Sequence, residues 1–414
     1  MRSPDGEAWT LEGFTKGAKT TGVWSIVNSQ MIFDENRLDA EFFQPEYLMI
    51  DEVLKSQGAH VLERYLTDIR YGLNVPAEYV ENGLRFIRAL NLKEYGIEGE
   101  VLSIPLAPEQ VGQDNLLQKG DLLIVRSGAN VGDLGIVISG LEGVTFGSYV
   151  IRMRVDDINP HYLYVYLKTS LGRQQTTRLR SGAAQPNISI PNLNQVLVFA
   201  PSVDEQNEIQ RLLLNSYEQR ELSNEIYEEA EELLLDALGL DAVLNAEAEA
   251  QRTYTQPSSR AWSAGRLDAE YWEPQYTNLV DYFRTMPHTT LGELADFSNG
   301  ATPRGADYLE EGIPFLRIQN VDKNRLVLEE VVFIDAETHN NLLERSQLQP
   351  SDVLITITGR IGTAAVVPES LPVANINQHI VRMRWSDKDI NPYYLSVFLN
   401  SKGGRLQTER EAYG

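Results

Sequence analysis

From Pro201 to Leu240 apolar residues recur three and four positions apart: Ile209, Leu213, Tyr217, then Leu222, Ile226, Ala230, Leu233, Leu234 and Leu238. That spacing predicts one long helix, and the narrowness of the stripe on a Glu-rich surface predicts a coiled-coil seam. Ser202 or Asp204 is placed to cap its start, and Gly239 follows its last turn. A stripe of this kind needs a partner helix; the alternative is an ordinary helix packed on its own domain. Elsewhere the patterns are shorter. Leu122–Arg126 and Val353–Thr358 are β-rich runs that end in glycine loops. Ile151–Val155 and Val381–Trp385 alternate apolar residues with Arg, as half-buried strands do. An Asn-Pro pair then opens a short helix in each region, Tyr162–Leu171 and Tyr394–Asn400. The fold class read from these patterns is mixed α/β.

The short patterns come in pairs because the chain repeats itself. RLDAEFFQPEY, Arg37–Tyr47, returns as RLDAEYWEPQY, Arg266–Tyr276. Asp68–Gly72 answers Asp296–Gly300, and Gly83–Arg88 with Asn91 answers Gly312–Arg317 with Asn320. Gly120–Gly132 answers Ser351–Gly362, Ile151–Arg154 answers Val381–Arg384, and Ile158–Leu167 answers Ile390–Leu399. An ordered series over so long a period means two copies of one domain on either side of the helix. The second copy ends at Gly414, which aligns with Gly182, so it is expected to lack a last strand and a following helix, natural or not.

Composition narrows the class. Cysteine is absent, which excludes disulfides and thiolate metal sites. No apolar run approaches the ~20 residues that span a bilayer, and the N-terminus has no signal-like apolar core; the expected location is the cytoplasm. The formal charge is −23, which argues at first sight against nucleic acid. Yet residues 204–250 hold fourteen acids and two bases, a difference of −12. Residues 61–200 hold fourteen acids and thirteen bases, a difference of −1, so the globular part is near neutral.

The chain has few marks of an enzyme. Asn159-Pro160-His161-Tyr162 and Asn391-Pro392-Tyr393-Tyr394 are like the Asn-Pro-Pro-aromatic motif of amino-methyltransferases, but both lack the second proline. None of the nine lysines follows an acid by two residues, as a common nuclease motif requires. There is no Gly-x-x-x-x-Gly-Lys-Ser/Thr string for nucleotide phosphates, and His60, His161, His288, His339 and His379 show no metal-ligand spacing.

The RLDAE phrase, the β-run into a glycine loop, INPxYL, GAAQPNISI at Gly182–Ile190 and the DEQNEI helix start at Asp204–Ile209 together resemble the specificity (S) subunit of type I restriction–modification systems. The resemblance covers about residues 31–414. It implies a lead-in over 1–30, a first target-recognition domain over 31–202, a spacer helix over 203–252 and an incomplete second domain over 253–414. It implies further that two long helices pair antiparallel, and that the chain is non-catalytic. Its partners would be double-stranded DNA, DNA methyltransferase (modification) subunits and restriction/translocase subunits. S-adenosylmethionine and ATP would belong to those subunits, leaving no cofactor here. Without a second long helix in this chain, Leu213, Leu222, Ile226 and Leu234 would pair with a partner or a second copy of the chain.

If the copies read different half-sites, framework positions should agree and reading positions should differ. Differences fall at the glycine loops, Ser127 and Asn130 against Arg360, and before the Arg-Met-Arg strand, where Ser148 and Tyr149 face Asn375, Asn377, Gln378 and His379. Arg88 and Arg317 agree, and are candidates for phosphate contacts or framework. Arg152, Arg154, Arg382 and Arg384 could track a phosphate backbone or pair with acids. The aromatic pairs Phe42-Phe43 and Tyr271-Trp272 are expected in the core. The function expected is reading of a bipartite DNA target. The alternatives are a protein-interaction scaffold, or a methyltransferase or nuclease with its own site.

Overall fold

Both copies build a matching four-stranded, three-stranded and two-stranded sheet from the same apolar runs, and the first adds the pair His60–Val61 with Leu197–Val198. The structure, a computed structural model, describes residues 25–27, 29–35, 37–75, 78–182, 186–240, 243–244, 253–303, 308–328, 331–385 and 390–412. Most of the expected lead-in, the Ala183–Gln185 part of the GAAQPNISI phrase, the end of the expected spacer segment and Gly414 lie outside these residues. The chain forms two compact units, Met1–Gln219 and Arg220–Gly414.

In the first unit a four-stranded sheet runs in the order Leu66–Tyr71, Val150–Val155, Leu122–Val125, Leu134–Ile136. In the second the order is Asp296–Asn299, Ile380–Arg384, Val353–Thr356, Ala364–Val366. Every pairing in these sheets is antiparallel. A smaller sheet accompanies each: Leu84–Ile87 between Ser103–Ile104 and Thr145–Phe146, and Ile313–Leu316 between Val332–Ile334 and Asn375–Ile376. A two-stranded hairpin, Leu92–Lys93 with Gly96–Ile97 or Val321–Asp322 with Arg325–Leu326, completes each copy. The mixed α/β class read from the sequence is the one observed.

The Arg-Met-Arg strands differ from expectation. They are the second strand of four and are buried on both faces, Arg152 being 0% exposed. A buried guanidinium needs compensating charge and acceptors. Arg152 forms an ion pair with Asp68 on the neighbouring strand and donates Nη1 to the Asp114 carbonyl at 2.6 Å. Arg382 donates to Asp296 at 2.8 Å in the same way. Arg154 grips Asp121 through Nε at 2.7 Å, and Arg384 grips Asp352 through Nε at 2.6 Å. All four arginines thus pair with carboxylates inside their own copy.

Helices follow the capping chemistry. The Asn159 side chain accepts from the backbone N–H of His161 at 2.9 Å and opens Pro160–Lys168; Asn391 does the same for Pro392–Asn400. The expected single helix to Leu171 is interrupted, because Thr169 caps a second helix, Ser170–Arg178, as Ser401 caps Lys402–Arg410. The long helix is Val203–Ala237. Ser202 caps it in a reciprocal pair with Glu205, the Ser202 N–H donating to Glu205 at 2.9 Å. Gly239 ends it at φ +62°, a left-handed conformation that favours glycine.

The helix's apolar stripe is shared out. Ile209 and Leu213 pack on the first unit's core. Leu234 is buried, and Leu235 and Leu238 join Leu240, Leu279 and Leu406 in the second unit. Leu222 and Ile226 are 48% and 54% exposed. Of the four candidate pairing residues, Leu213 and Leu234 are therefore covered by their own fold. Phe42-Phe43 and Tyr271-Trp272 are core residues, each an edge-on aromatic pair with centroids 5.0 Å apart.

Two measurements test this framework. Asp68→Ala strands the Arg152 charge; since Asp68 is partly open to solvent, the expected loss is about 2 to 3 kcal/mol. It would be read from amide hydrogen exchange of Leu122–Val125 and Val150–Val155, with unchanged protection rejecting the ion pair as a major support. The second concerns His161, which is 5% exposed and has no hydrogen-bond partner on either ring nitrogen among the described residues. Burial, reinforced by Lys119, pushes its pKa down. The unfolded chain takes up this proton near pH ~6.5, before the folded one does. Stability is therefore full above that pH and falls as the pH drops through it towards the lower folded value. The denaturant midpoint of the first unit should fall between pH 7.5 and 5.5, and His161→Phe should reduce that drop.

Candidate nucleic-acid interface

Positions that agree between the copies carry internal bonds. Asn91 is buried; its Oδ1 accepts from the Arg88 N–H at 2.9 Å and its Nδ2 donates to the carbonyls of Glu98 and Glu100. Asn320 accepts from the Arg317 N–H at 2.9 Å and donates to the Val327 carbonyl at 2.8 Å. The Arg88 guanidinium lies 5.4 Å from the Tyr79 ring centre and that of Arg317 lies 6.0 Å from Tyr308. Arg37 with Asp39 and Arg266 with Asp268 form matching pairs, and the Arg266 hydrogen bond holds the Asp268 carboxyl at about 2.

Positions that differ gather at one end of each four-stranded sheet. There the first strand ends, the second begins and the third ends, as the register of Ile151 opposite Tyr71 and Val150 opposite Val125 requires. The backbone is closely packed at this end. A Cβ at Gly72 would lie 2.3 Å from the Gly147 carbonyl, and one at Gly300 would lie 2.1 Å from that of Asn377. Only glycine lets the two loops approach so nearly.

In the first unit this end presents Tyr71, Arg126 and Tyr149. The Arg126 guanidinium stacks 4.5 Å from the Tyr71 ring centre, and its backbone N–H donates to the Tyr149 carbonyl at 2.9 Å. Tyr149 is 56% exposed. Ser148 is half-buried and donates its N–H to the Leu73 carbonyl at 2.9 Å. Ser127 is buried and bridges to Asn187 across the backbone. Asn130 is exposed in the following turn, its carbonyl accepting from the Asp133 N–H. Arg126 and Tyr71 are absent from the sequence-derived candidates. The signal was present: Arg126 aligns with Ile357, and Tyr71 with Asn299.

In the second unit the corresponding end gathers Thr302, Thr358, Asn377, Gln378 and His379. Thr302 Oγ1 donates to Gln378 Oε1. Gln378 Nε2 lies 3.0 Å from His379 Nε2, and His379 Nδ1 lies 2.8 Å from Thr358 Oγ1. Asn377 is buried, its Oδ1 accepting from the His379 N–H at 3.2 Å, so it shapes the turn. Arg360 turns to the nearby hairpin, donating Nη2 to the Val321 carbonyl at 3.0 Å and Nη1 to Asp322 at 3.3 Å. Asn375 is corrected outright: it is 0% exposed, and its Nδ2 donates to the Leu343 carbonyl at 2.9 Å and to Ser346 Oγ at 3.2 Å. Its Oδ1 is held against His339 Nδ1. The strand that carries it is interior to the fold, so it has no surface to read with.

The arrangement offers donors, acceptors and aromatic faces. Among the described residues there is no His, Asp and Glu group able to hold a metal ion, and no helix long and apolar enough to cross a membrane. The contrast between buried and surface loop residues is measurable. Asn375→Ala should destabilise the second unit by about 1 to 3 kcal/mol, the cost of orphaned buried partners. Gln378→Ala should change stability by less than about 0.5 kcal/mol. Equal losses for both in denaturant unfolding would contradict this placement.

Comparison with known proteins finds likenesses to specificity subunits of type I restriction–modification systems. A 26% identical relative, the type I restriction enzyme EcoBI specificity subunit of Escherichia coli, aligns over 121 residues, 29% of this chain. The chain spans only 25% of that relative's length in this match. Among solved structures, the type-I restriction-modification system S subunit from M. genitalium is 14% identical with a TM-score of 0.35, over 85% of this chain and 78% of that one. The HsdS subunit from Thermoanaerobacter tengcongensis is 15% identical with a TM-score of 0.29, over 84% of this chain and 80% of that one. Residues 82–232, from the first copy into the long helix, match the family model of the type I restriction modification DNA specificity domain.

Proposed function

We propose that this chain is the DNA sequence-specificity subunit of a type I restriction–modification assembly and has no catalytic site of its own. Each copy reads one block of a bipartite, asymmetric duplex target, and the long helix serves as the spacer between the blocks. The observation that carries this reading is the sorting of the repeat. Shared residues are spent on internal pairs, while unshared polar and aromatic residues, Asn375 and Arg360 apart, collect at the loop end of each sheet. The match of residues 82–232 to a DNA specificity domain supports the same reading. Reading at base edges needs side chains such as Arg and Gln presented from a fixed scaffold, with other cations holding phosphates.

The partners in this reading are double-stranded DNA, DNA methyltransferase subunits and restriction/translocase subunits. S-adenosylmethionine and ATP act on those subunits. Leu222 and Ile226, exposed on an acidic helix, are the docking positions for a second long helix, from a partner or from a second copy of this chain. A scaffold without DNA readout is the second reading, and the charge of −23 favours it.

Selection of bound duplexes from a random library separates the two. With the full chain, alone and with candidate modification subunits, two fixed blocks separated by a constant gap are expected. Affinity should fall with salt, by a log–log slope of about −0.9 per phosphate neutralised. Protein partners bound without any enriched sequence or salt-dependent DNA affinity would establish the scaffold instead.

A further inference from the structure

Most loop residues at the sheet ends hold the fold, whereas Gln378 is held by it. Gln378 is exposed in the turn between Ile376 and Ile380, and both of its terminal atoms are gripped. Thr302 Oγ1 donates to its Oε1, and its Nε2 meets His379 Nε2 at 3.0 Å. The direction of the chain of bonds follows from the amide in this assignment. An amide nitrogen can only donate, so His379 Nε2 accepts, and the ring proton sits on Nδ1, which donates to Thr358 Oγ1 at 2.8 Å. Turning the Gln378 amide over reverses the relay: Nε2 then donates to Thr302 Oγ1, Oε1 accepts from the Nε2–H of the other His379 tautomer, and Thr358 Oγ1 donates to His379 Nδ1. In either direction both terminal atoms of the amide are held, so the relay fixes the plane of the amide.

Each gripped atom keeps one valence, the second amide hydrogen on Nε2 and the second lone pair on Oε1. A donor and an acceptor side by side on one fixed plane match the N7 acceptor and N6 amino donor that adenine shows in the major groove. The first copy has Ser148 and Tyr149 where the second has Gln378 and His379, so the two sheet ends carry different readers.

Resting on the specificity reading above, we propose that Gln378 reads an adenine in the block recognised by the second copy, with Thr302 and His379 as positioning residues for its amide. The test uses the full chain and a random duplex library, with folding of each variant checked by thermal unfolding. Wild type should recover an invariant A·T pair in one block. Gln378→Ala should relax that pair alone and leave the other block intact. Gln378→Glu should move it towards C·G, because a carboxylate accepts from the cytosine amino group. Replacing that adenine by 7-deazaadenine should weaken wild type by between about fivefold and about a hundredfold and leave Gln378→Ala unaffected. Thr302→Val should lose part of the A·T preference and Thr302→Ser should restore it; unchanged preference in Thr302→Val overturns the positioning role. Two wild-type blocks that Gln378→Ala leaves unaltered overturn the adenine assignment while the specificity reading stands. Absence of any enriched block with wild type overturns both.

Discussion

An arginine buried within each four-stranded sheet constrains what surrounds it. Arg152 and Arg382 cannot stay charged in the interior without a carboxylate, and the nearest strand supplies one, Asp68 or Asp296. The pair locks the register between the first and second strands, where a slip of one residue would turn the arginine to the opposite face. A second arginine on the same strand reaches Asp121 or Asp352 and so ties down the turn that leads into the third strand. Both sheets are thus closed by the same two ionic clamps as well as by apolar packing.

Because these clamps are complete within a copy, the opposite end of the sheet is free to vary. There the close approach of Gly72 to Gly147, and of Gly300 to Asn377, brings two loops together without using any side chain. The side chains on those loops then differ in kind: a guanidinium stacked on a tyrosine in one copy, a hydroxyl–amide–imidazole relay in the other. A common frame with unlike tips is what the reading of two unlike half-sites demands.

Much of this was legible in the chain. The long helix and its Ser202 start follow from local periodicity and capping, and the paired strands follow from short apolar runs that recur in order. What escaped depended on distance. Arg382 and Asp296 are 86 residues apart, so alternation alone suggested a half-buried strand where the real one is interior. Asn375 has the chemistry of a reader, yet a polar residue's identity does not say whether its partners are Leu343 and Ser346 or solvent. Arg126 sits beside the glycines that dominate the loop's pattern, although its alignment with Ile357 marks it as unshared. The stripe of the helix holds only in part: Ile209, Leu213 and Leu238 pack and Leu234 is buried, whereas Leu222, Ile226 and Leu233 are exposed. Leu235, outside the stripe, packs instead, because coverage depends on which strands and helices lie beside each turn.

The relay around Gln378 also has a cost structure of its own. A free glutamine on a surface samples many rotamers, and ordering it on binding consumes conformational entropy of roughly 0.5 to 1.5 kcal/mol. Here that ordering has been completed during folding, by bonds to Thr302 and His379. Binding then begins with a side chain already immobile. The same immobility denies it the rearrangement by which a flexible glutamine would adapt to a different base.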